Sequence, residues 1–292
     1  MTSLPDATEA APAPRPARDA RYTLRGLPFA TLEWGARAAD GVPTLLLHGF
    51  LDHAGSWSRV AERLPGHVVA LDLRGHGHST WAGPGESYHF AEYVADVDAL
   101  VAALGGRVRL VGHSMGGTVA SMYAGARPDA VARLAIVDGI GIPDAAGAAR
   151  DRMVLFLDGI TRVRAHRPYP TLAAAAARLA ATWSGLDPDW AVELAERGTR
   201  PVEEGFVWRY DPRHLVRAPV PYRQDHHRLF LAAIRCPVLS VHPERSLFGA
   251  ADVAALEAAI PDLVVRDVPG AGHMTQLDAP RALAAHLAAF LS

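Results

Sequence analysis

A single cysteine, Cys236, stands among 292 residues, so the chain forms no intrachain disulfide and needs no oxidising compartment. Cys236 precedes Pro237 at the start of an apolar run and reads as a buried small hydrophobe rather than a reactive thiol. Neither sign of charge is in excess. Twenty-nine basic residues face 31 acidic ones, for a net charge of −2, which removes any general drive toward nucleic acid or an anionic membrane. No uncharged run has the length of a membrane span; the alanine-rich run 172–182 is short and carries Arg178. Residues 1–20 lack a basic start and an apolar stretch, so they are not read as a secretory signal. Their Ala, Pro and charge predict a disordered tail, and the default location is the cytoplasm. The adjacent His226 and His227 have no metal-ligand spacing around them. The expected partner is therefore a small-molecule substrate, with no metal, cofactor, nucleic acid or membrane, and the sequence carries no sign of oligomeric state.

Half of the chain is apolar, enough for a large core, and the apolar residues fall in a repeating order. Residues 21–33 surround Gly26 as a hairpin. Short apolar runs at 44–47 (TLLL), 67–71 (HVVAL), 108–112 (VRLVG) and 132–137 suit strands buried on both faces. Helical spacing separates them at 57–64, 90–104 and 116–126. The order resumes with strands at 237–241 and 263–268 and helices at 251–259 and 280–291. Alternating strands and helices predict an α/β fold with a mostly parallel central sheet. Between residues 141 and 234 the strands vanish. Helical segments at 151–163, 172–184 and 189–197, broken by prolines, predict a helical cap inserted between strands 6 and 7. The core is then 21–140 with 235–292.

Residues 112–116 read Gly-His-Ser-Met-Gly, the pattern G-x-S-x-G between an apolar strand and a small-residue helix. A sharp strand-to-helix turn strains the serine and leaves no room for side chains two positions before and after it. It also aims the helix N-terminus at the cleft. Ser114 is the predicted nucleophile. HGF at 48–50, DLRGHGHS at 72–79, GHSMGG at 112–117 and GAGH at 270–273 together resemble the α/β-hydrolase superfamily over nearly the whole chain beyond the tail. HGFLDHAGSW with GHSMGG most resembles its serine-hydrolase-like group.

The resemblance implies an oxyanion hole built from the backbone N–H groups of Met115 and Phe50. Two such donors each lower the barrier by about 3 kcal/mol. It also places the base at His273, in a glycine-rich loop after the last strand, to take the serine proton and return it to the leaving group. His48 reads as a structural histidine, Asp52 and His53 as entrance residues, and His76, His78 and His113 as non-catalytic. Asp72 is expected to tie down the RGHGHS loop. The third member is the departure. The family acid would fall near Ser246 or Leu247, and neither is acidic. Asp138, after strand 132–137, is favoured, as in certain haloalkane dehalogenases of the superfamily; Glu244 is the other candidate and Asp252 a weaker third. Aromatic cap residues (Phe156, Tyr169, Trp183, Trp190, Phe206, Trp208, Tyr210) either line the pocket or pack the cap's own core.

The resulting expectation is a serine hydrolase that cleaves a small, largely apolar ester, lactone or thioester through an acyl-enzyme. Carbon–carbon bond hydrolysis on the same scaffold, and a non-catalytic ligand-binding homologue, are the alternatives. A serine at the elbow argues against the dehalogenases and most epoxide hydrolases of this fold, which use aspartate there.

Overall fold

The structure is a computed structural model that describes residues 15–36, 40–183 and 185–292. Arg18–Leu24 (β1) and Leu27–Trp34 (β2) form the expected hairpin, turning at Arg25 and Gly26, both with positive φ. Thr44–Leu47 (β3), Val68–Leu71 (β4), Val108–His113 (β5) and Val131–Val137 (β6) follow. Thr199–Val202 (β7) and Gly205–Trp208 (β8) stand apart as a two-stranded hairpin, and Val238–Arg245 (β9) and Leu263–Gly272 (β10) complete the main sheet. That sheet runs β1-β2-β4-β3-β5-β6-β9-β10. Every pair from β4 to β10 is parallel, and the β1–β2 and β2–β4 pairs are antiparallel.

The continuous apolar runs explain this arrangement. Every residue of β3 and β4 is buried, because helices cover both faces of the sheet. On one face, Val97 and Leu100 of helix Phe90–Ala103, Val119 and Tyr123 of helix Met115–Ala126, and Leu256 pack on the strands. On the other, Trp57, Val60 and Leu64 meet Leu283 and Leu287 of helix Pro280–Leu291. Each such side chain contributes about 1.5–3 kcal/mol by leaving water. Cys236 is buried, which pushes its thiol pKa up to about 11. Among the described residues, no helix is long and apolar enough to cross a membrane.

Two expectations need correction. Of the tail assigned to 1–20, residues 1–14 lie outside the described residues, but Arg18, Asp19 and Ala20 pair with Glu33, Leu32 and Thr31. The Arg15 guanidinium also donates to the carbonyls of Leu64 and Gly66. Those partners lie far along the chain, so local composition could not reveal the pairing. Second, the insertion is not purely helical. Helices Ala149–Ile160, Leu172–Thr182 and Pro188–Gly198 correspond to the three expected segments, with Ser184 outside the described residues. The β7–β8 hairpin, turning at Glu203 and Glu204, and a fourth helix, Gln224–Ala233, join them.

The cap is fastened to the sheet at its Arg197 side. The Arg197 guanidinium donates to the wholly buried Asp72 carboxylate at 2.9 Å and to Asp19 at 2.9 Å. Trp190 and Leu194 share an apolar cluster with Met274 and Leu277, next to His273 in the chain. Helix Ala149–Ile160, by contrast, has no buried residue and exposes Met153, Val154, Leu155 and Leu157.

Six of the fourteen histidines are buried: His48, His53, His76, His113, His214 and His227. Burial pushes each down, to about 4 for His48, His53 and His227, about 3 for His76 and His113, and about 2 for His214. The unfolded chain therefore binds protons below about pH 6.5 that the folded chain refuses. Stability is fully present above that pH and falls as pH drops toward 4, by up to about 1.4 kcal/mol per pH unit for each histidine. Urea titrations from pH 7.5 to 4.5 are expected to show a falling midpoint with uptake of several protons on unfolding. A midpoint that stays level across that range would contradict the buried neutral assignment.

Candidate active site

Three strand ends converge on one place. Ser114 follows β5, Asp138 follows β6, and His273 follows β10. Backbone bonds step along this edge: Ser114 N–H donates to Val137 O at 3.1 Å, and Asp138 N–H to Val241 O at 3.0 Å. His273 Nε2 lies 3.0 Å from Ser114 Oγ, and His273 Nδ1 lies 2.6 Å from Asp138 Oδ2. The His273 side chain is only 10% exposed and that of Asp138 3%. The structure thus brings together the three side chains that the sequence singled out. With Nδ1–H donating to Asp138, Nε2 presents its lone pair to the serine hydroxyl, as proton abstraction requires.

The elbow has the expected steric basis. Ser114 has φ 52° and ψ −122°, a region that L-residues avoid. A Cβ on Gly112 would come within 2.2 Å of the Gly116 carbonyl oxygen, and one on Gly116 within 2.5 Å of the Leu47 carbonyl oxygen. A second close approach joins Gly117 to Gly139, where an added Cβ on either would lie 2.7 Å from the other's Cα. Thr118 Oγ1 donates to Gly139 O at 2.9 Å across the same contact. The elbow and the loop bearing Asp138 therefore meet backbone to backbone.

Asp138 also has a positive φ of 40°, and Leu51, beside Phe50, has one of 59°. Three of the four described non-glycine residues with positive φ thus lie at this site, each at a cost of about 1–3 kcal/mol. The N–H groups of Phe50 and Met115 have no partner among the described residues. Met115 opens its helix, so its N–H points out of the helix end. The Phe50 loop is held by two histidines. His76 Nε2 accepts from Leu51 N–H at 3.2 Å while Nδ1–H donates to Arg74 O at 2.9 Å. His48 Nε2 accepts from Leu73 N–H at 2.9 Å while Nδ1–H donates to Gly49 O at 2.7 Å. Both rings are fully engaged in shaping loops, as the sequence implied.

The alternative acids point elsewhere. Glu244 accepts the Gly270 N–H at 2.7 Å and Asp252 accepts from Gln224 Nε2 at 2.8 Å. Ser246, which occupies the usual place of the acid, donates to Asp138 Oδ1 at 2.5 Å and accepts from Phe248 N–H at 2.9 Å. Sequence reasoning treated Ser246 only as a missing acid; its position in the family pattern was the signal available. His113 has a role of the same kind. Its Nδ1 accepts from Gln276 Nε2 at 3.1 Å, so its Nε2–H donates to the His273 carbonyl at 2.8 Å and moors the loop of the base.

Asp72 ties the RGHGHS loop as expected, accepting from the Ala54 N–H at 2.7 Å and the His78 N–H at 3.0 Å. Burial acts to raise its pKa, but Arg197, His53 and these N–H groups outweigh it and hold the carboxyl below the usual range. Asp52 accepts from Ser56 Oγ at 2.7 Å, and burial pushes its pKa up to about 7. The His226–His227 pair splits. His226 is exposed, while His227 is buried between Ser121 Oγ at 2.8 Å and Tyr222 OH at 2.5 Å, so the sequence reading of a solvated or cap-lining pair fits His226 but not the buried His227. Tyr169, Trp183, Trp190 and Trp208 pack in the cap's own cluster. The aromatic groups beside the site are instead Phe50, 49% exposed, and Phe248, whose ring lies edge-on to His273 at 5.9 Å.

A family model described as alpha/beta hydrolase fold matches residues 43–280. A serine hydrolase-like protein of Danio rerio is 32% identical over 225 residues, covering 74% of this chain and 68% of its own. N-formylmaleamate deformylase of Pseudomonas putida is 31% identical over 247 residues, 82% and 84% of the two chains. Two human serine hydrolase-like proteins match over 113 residues, so the match spans about half of one (55%) and a third of the other (35%). Among solved structures, a hypothetical protein of Pseudomonas aeruginosa PAO1 superposes with a TM-score of 0.82 at 34% identity, covering 94% of this chain and 97% of that one. The thioesterase domain of a curacin biosynthetic pathway superposes with a TM-score of 0.85 at 26% identity, covering 93% and 99%.

Gly112→Ala sets a methyl group against a backbone carbonyl that cannot swing aside. It is expected to destabilise the protein by about 2 kcal/mol or more, read as a lower urea midpoint. An unchanged midpoint would contradict the contact.

Proposed function

The chain belongs to the alpha/beta hydrolase fold family, and from that premise we propose that it is a serine hydrolase cleaving a small, largely apolar carboxylic ester, lactone or thioester. The observation that carries this reading is the hydrogen-bonded line Ser114–His273–Asp138, 3.0 and 2.6 Å in its two steps. Ser114 Oγ attacks the acyl carbon as His273 Nε2 takes its proton. The carbonyl electron pair moves onto oxygen, and the N–H groups of Phe50 and Met115 receive that oxyanion. The tetrahedral species collapses, the carbon–heteroatom bond breaks, and His273 returns the proton to the departing alcohol or thiol. Water then attacks the acyl-serine with His273 again as base, which releases the acid and restores the serine.

Asp138 acts on the imidazole. It fixes the tautomer and orients the ring, and it stabilises the imidazolium formed in each step. Ser246 and the buried setting hold that carboxylate in place. The preference for an apolar acyl group rests on Phe50, Phe248 and Met115 around the nucleophile. The relatives named for acyl-bond cleavage, a deformylase and a thioesterase domain, agree with the reaction type. A non-catalytic homologue drew its support from the acid missing after β9; Asp138 at 2.6 Å from His273 argues against it.

A fluorophosphonate probe is expected to label the protein at Ser114, and short p-nitrophenyl esters to be turned over. Ser114→Ala should abolish both signals. If the unsubstituted protein is neither labelled nor active on such esters, the reading is wrong. Asp138→Ala is expected to lower kcat by about 10²–10⁴. Glu244→Ala should stay within about threefold of the parent, since its carboxylate serves only the turn at Gly270. The reverse pattern would transfer the acid role to Glu244.

A further inference from the structure

Every basic residue of this chain is an arginine, and no lysine occurs. Five of its cationic or imidazole side chains gather at one edge of the sheet, away from the Ser114 cluster. A cavity of about 370 Å³ opens there, lined by Asp19, Ala20, Arg21, Ala30, His78 and Arg197. Arg21 on β1 stands opposite Ala30 on β2. Ala30 O accepts the Asp72 N–H just past the end of β4, which places the cavity at the carboxyl ends of the parallel strands. Arg200 and Arg209, on and beside the β7–β8 hairpin, lie within electrostatic range of the same group.

The charges at this edge do not balance. Arg197 pairs with Asp19 and Asp72, while its buried Nε has no partner among the described residues. Among the described residues, Arg21, Arg200 and Arg209 have no carboxylate partner. Arg209 uses its Nε on the Thr199 carbonyl at 2.8 Å, which leaves both terminal nitrogens free. It is half-buried, and its pKa is lowered, first by burial and then by the charge of Arg200, with Arg197 and Arg21 adding to this and Asp72 opposing it. The His78 pKa is lowered in turn, by burial and by Arg209 and Arg197. Like charges held together beside a cavity raise the energy of the empty pocket, and a bound anion removes that energy. Guanidinium groups with two free N–H donors match the oxygens of a tetrahedral anion in pairs.

We propose that this cavity is an anion site that receives a phosphate or sulfate group of a small molecule, held by Arg21 and His78 of its lining with Arg209 in electrostatic range. The volume lies at the small end of ligand pockets, which suits a compact monoester rather than a nucleic acid strand. The site uses none of the residues assigned to hydrolysis, so ester turnover and anion binding can fail separately.

The test uses the full chain and three probes: inorganic phosphate, sulfate and phenyl phosphate, with sodium chloride at matched ionic strength as the reference. Thermal unfolding and calorimetric titration are read for the parent and for Arg21→Gln, Arg209→Gln and Arg152→Gln. Each tetrahedral anion is expected to raise the Tm of the parent above the chloride value. Arg21→Gln and Arg209→Gln should each weaken binding about tenfold or more. Arg152→Gln, an equal loss of charge on the cap helix, should bind as the parent does. Arg21→Gln lies on an exposed edge strand and gives a folded test if loss of the Thr199 contact unfolds Arg209→Gln. A Tm rise equalled by chloride, or binding equal in the parent and Arg21→Gln, overturns the proposal. Tighter binding of phenyl phosphate than of the inorganic ions assigns the site to a monoester; equal binding assigns it to the free ion.

Discussion

The hydrogen bond between His273 and Asp138 is the constraint on which the site depends. It joins residues 135 apart in sequence, and it exists only because the sheet places β5, β6, β9 and β10 side by side in that order. A histidine in a glycine-rich loop has many orientations available, and a buried carboxylate within 2.6 Å selects one of them. Other contacts limit the loop from behind. His113 holds the backbone carbonyl of His273, and Met274 is sunk in the apolar cluster of the cap. The ring is therefore fixed from the sheet, the elbow and the cap at once.

Backbone strain is concentrated at the same place, at Ser114, Asp138 and Leu51. The surrounding close packing keeps these residues there. Gly112 against Gly116, and Gly117 against Gly139, leave the chain no volume in which to relax. Strain of this kind persists when many ordinary contacts oppose its release, and the fully buried β3 and β4 on the neighbouring strands provide them.

Much of this arrangement was legible in the sequence because its signals are local. The elbow is written in five consecutive residues, the parallel strands in short apolar runs, and the His273 loop in its glycines. The acid was harder to read. Asp138 and Glu244 both follow a strand, and only the path of the chain shows that one turns toward His273 and the other toward Gly270. Ser246 is invisible as a partner until Asp138 is placed beside it. The β7–β8 hairpin is built from strands of four residues whose pairing partners come from each other, so neither has a periodicity of its own. The first residues of β1 were hidden in the same way behind an Ala, Pro and charge composition that resembles a tail. Partners outside the segment itself account for each of these misses.

The fastening of the cap gives its two sides unequal mobility. Raising the Arg197 side separates that guanidinium from Asp72 and strands a wholly buried carboxylate, at a cost of about 3–5 kcal/mol. That corresponds to roughly two to four powers of ten in population. Helix Ala149–Ile160 has no buried residue to withdraw, so its displacement carries no comparable cost. The cap is thus latched along one margin and loose along the other. A displacement of the loose side therefore leaves the geometry of the latched side unchanged.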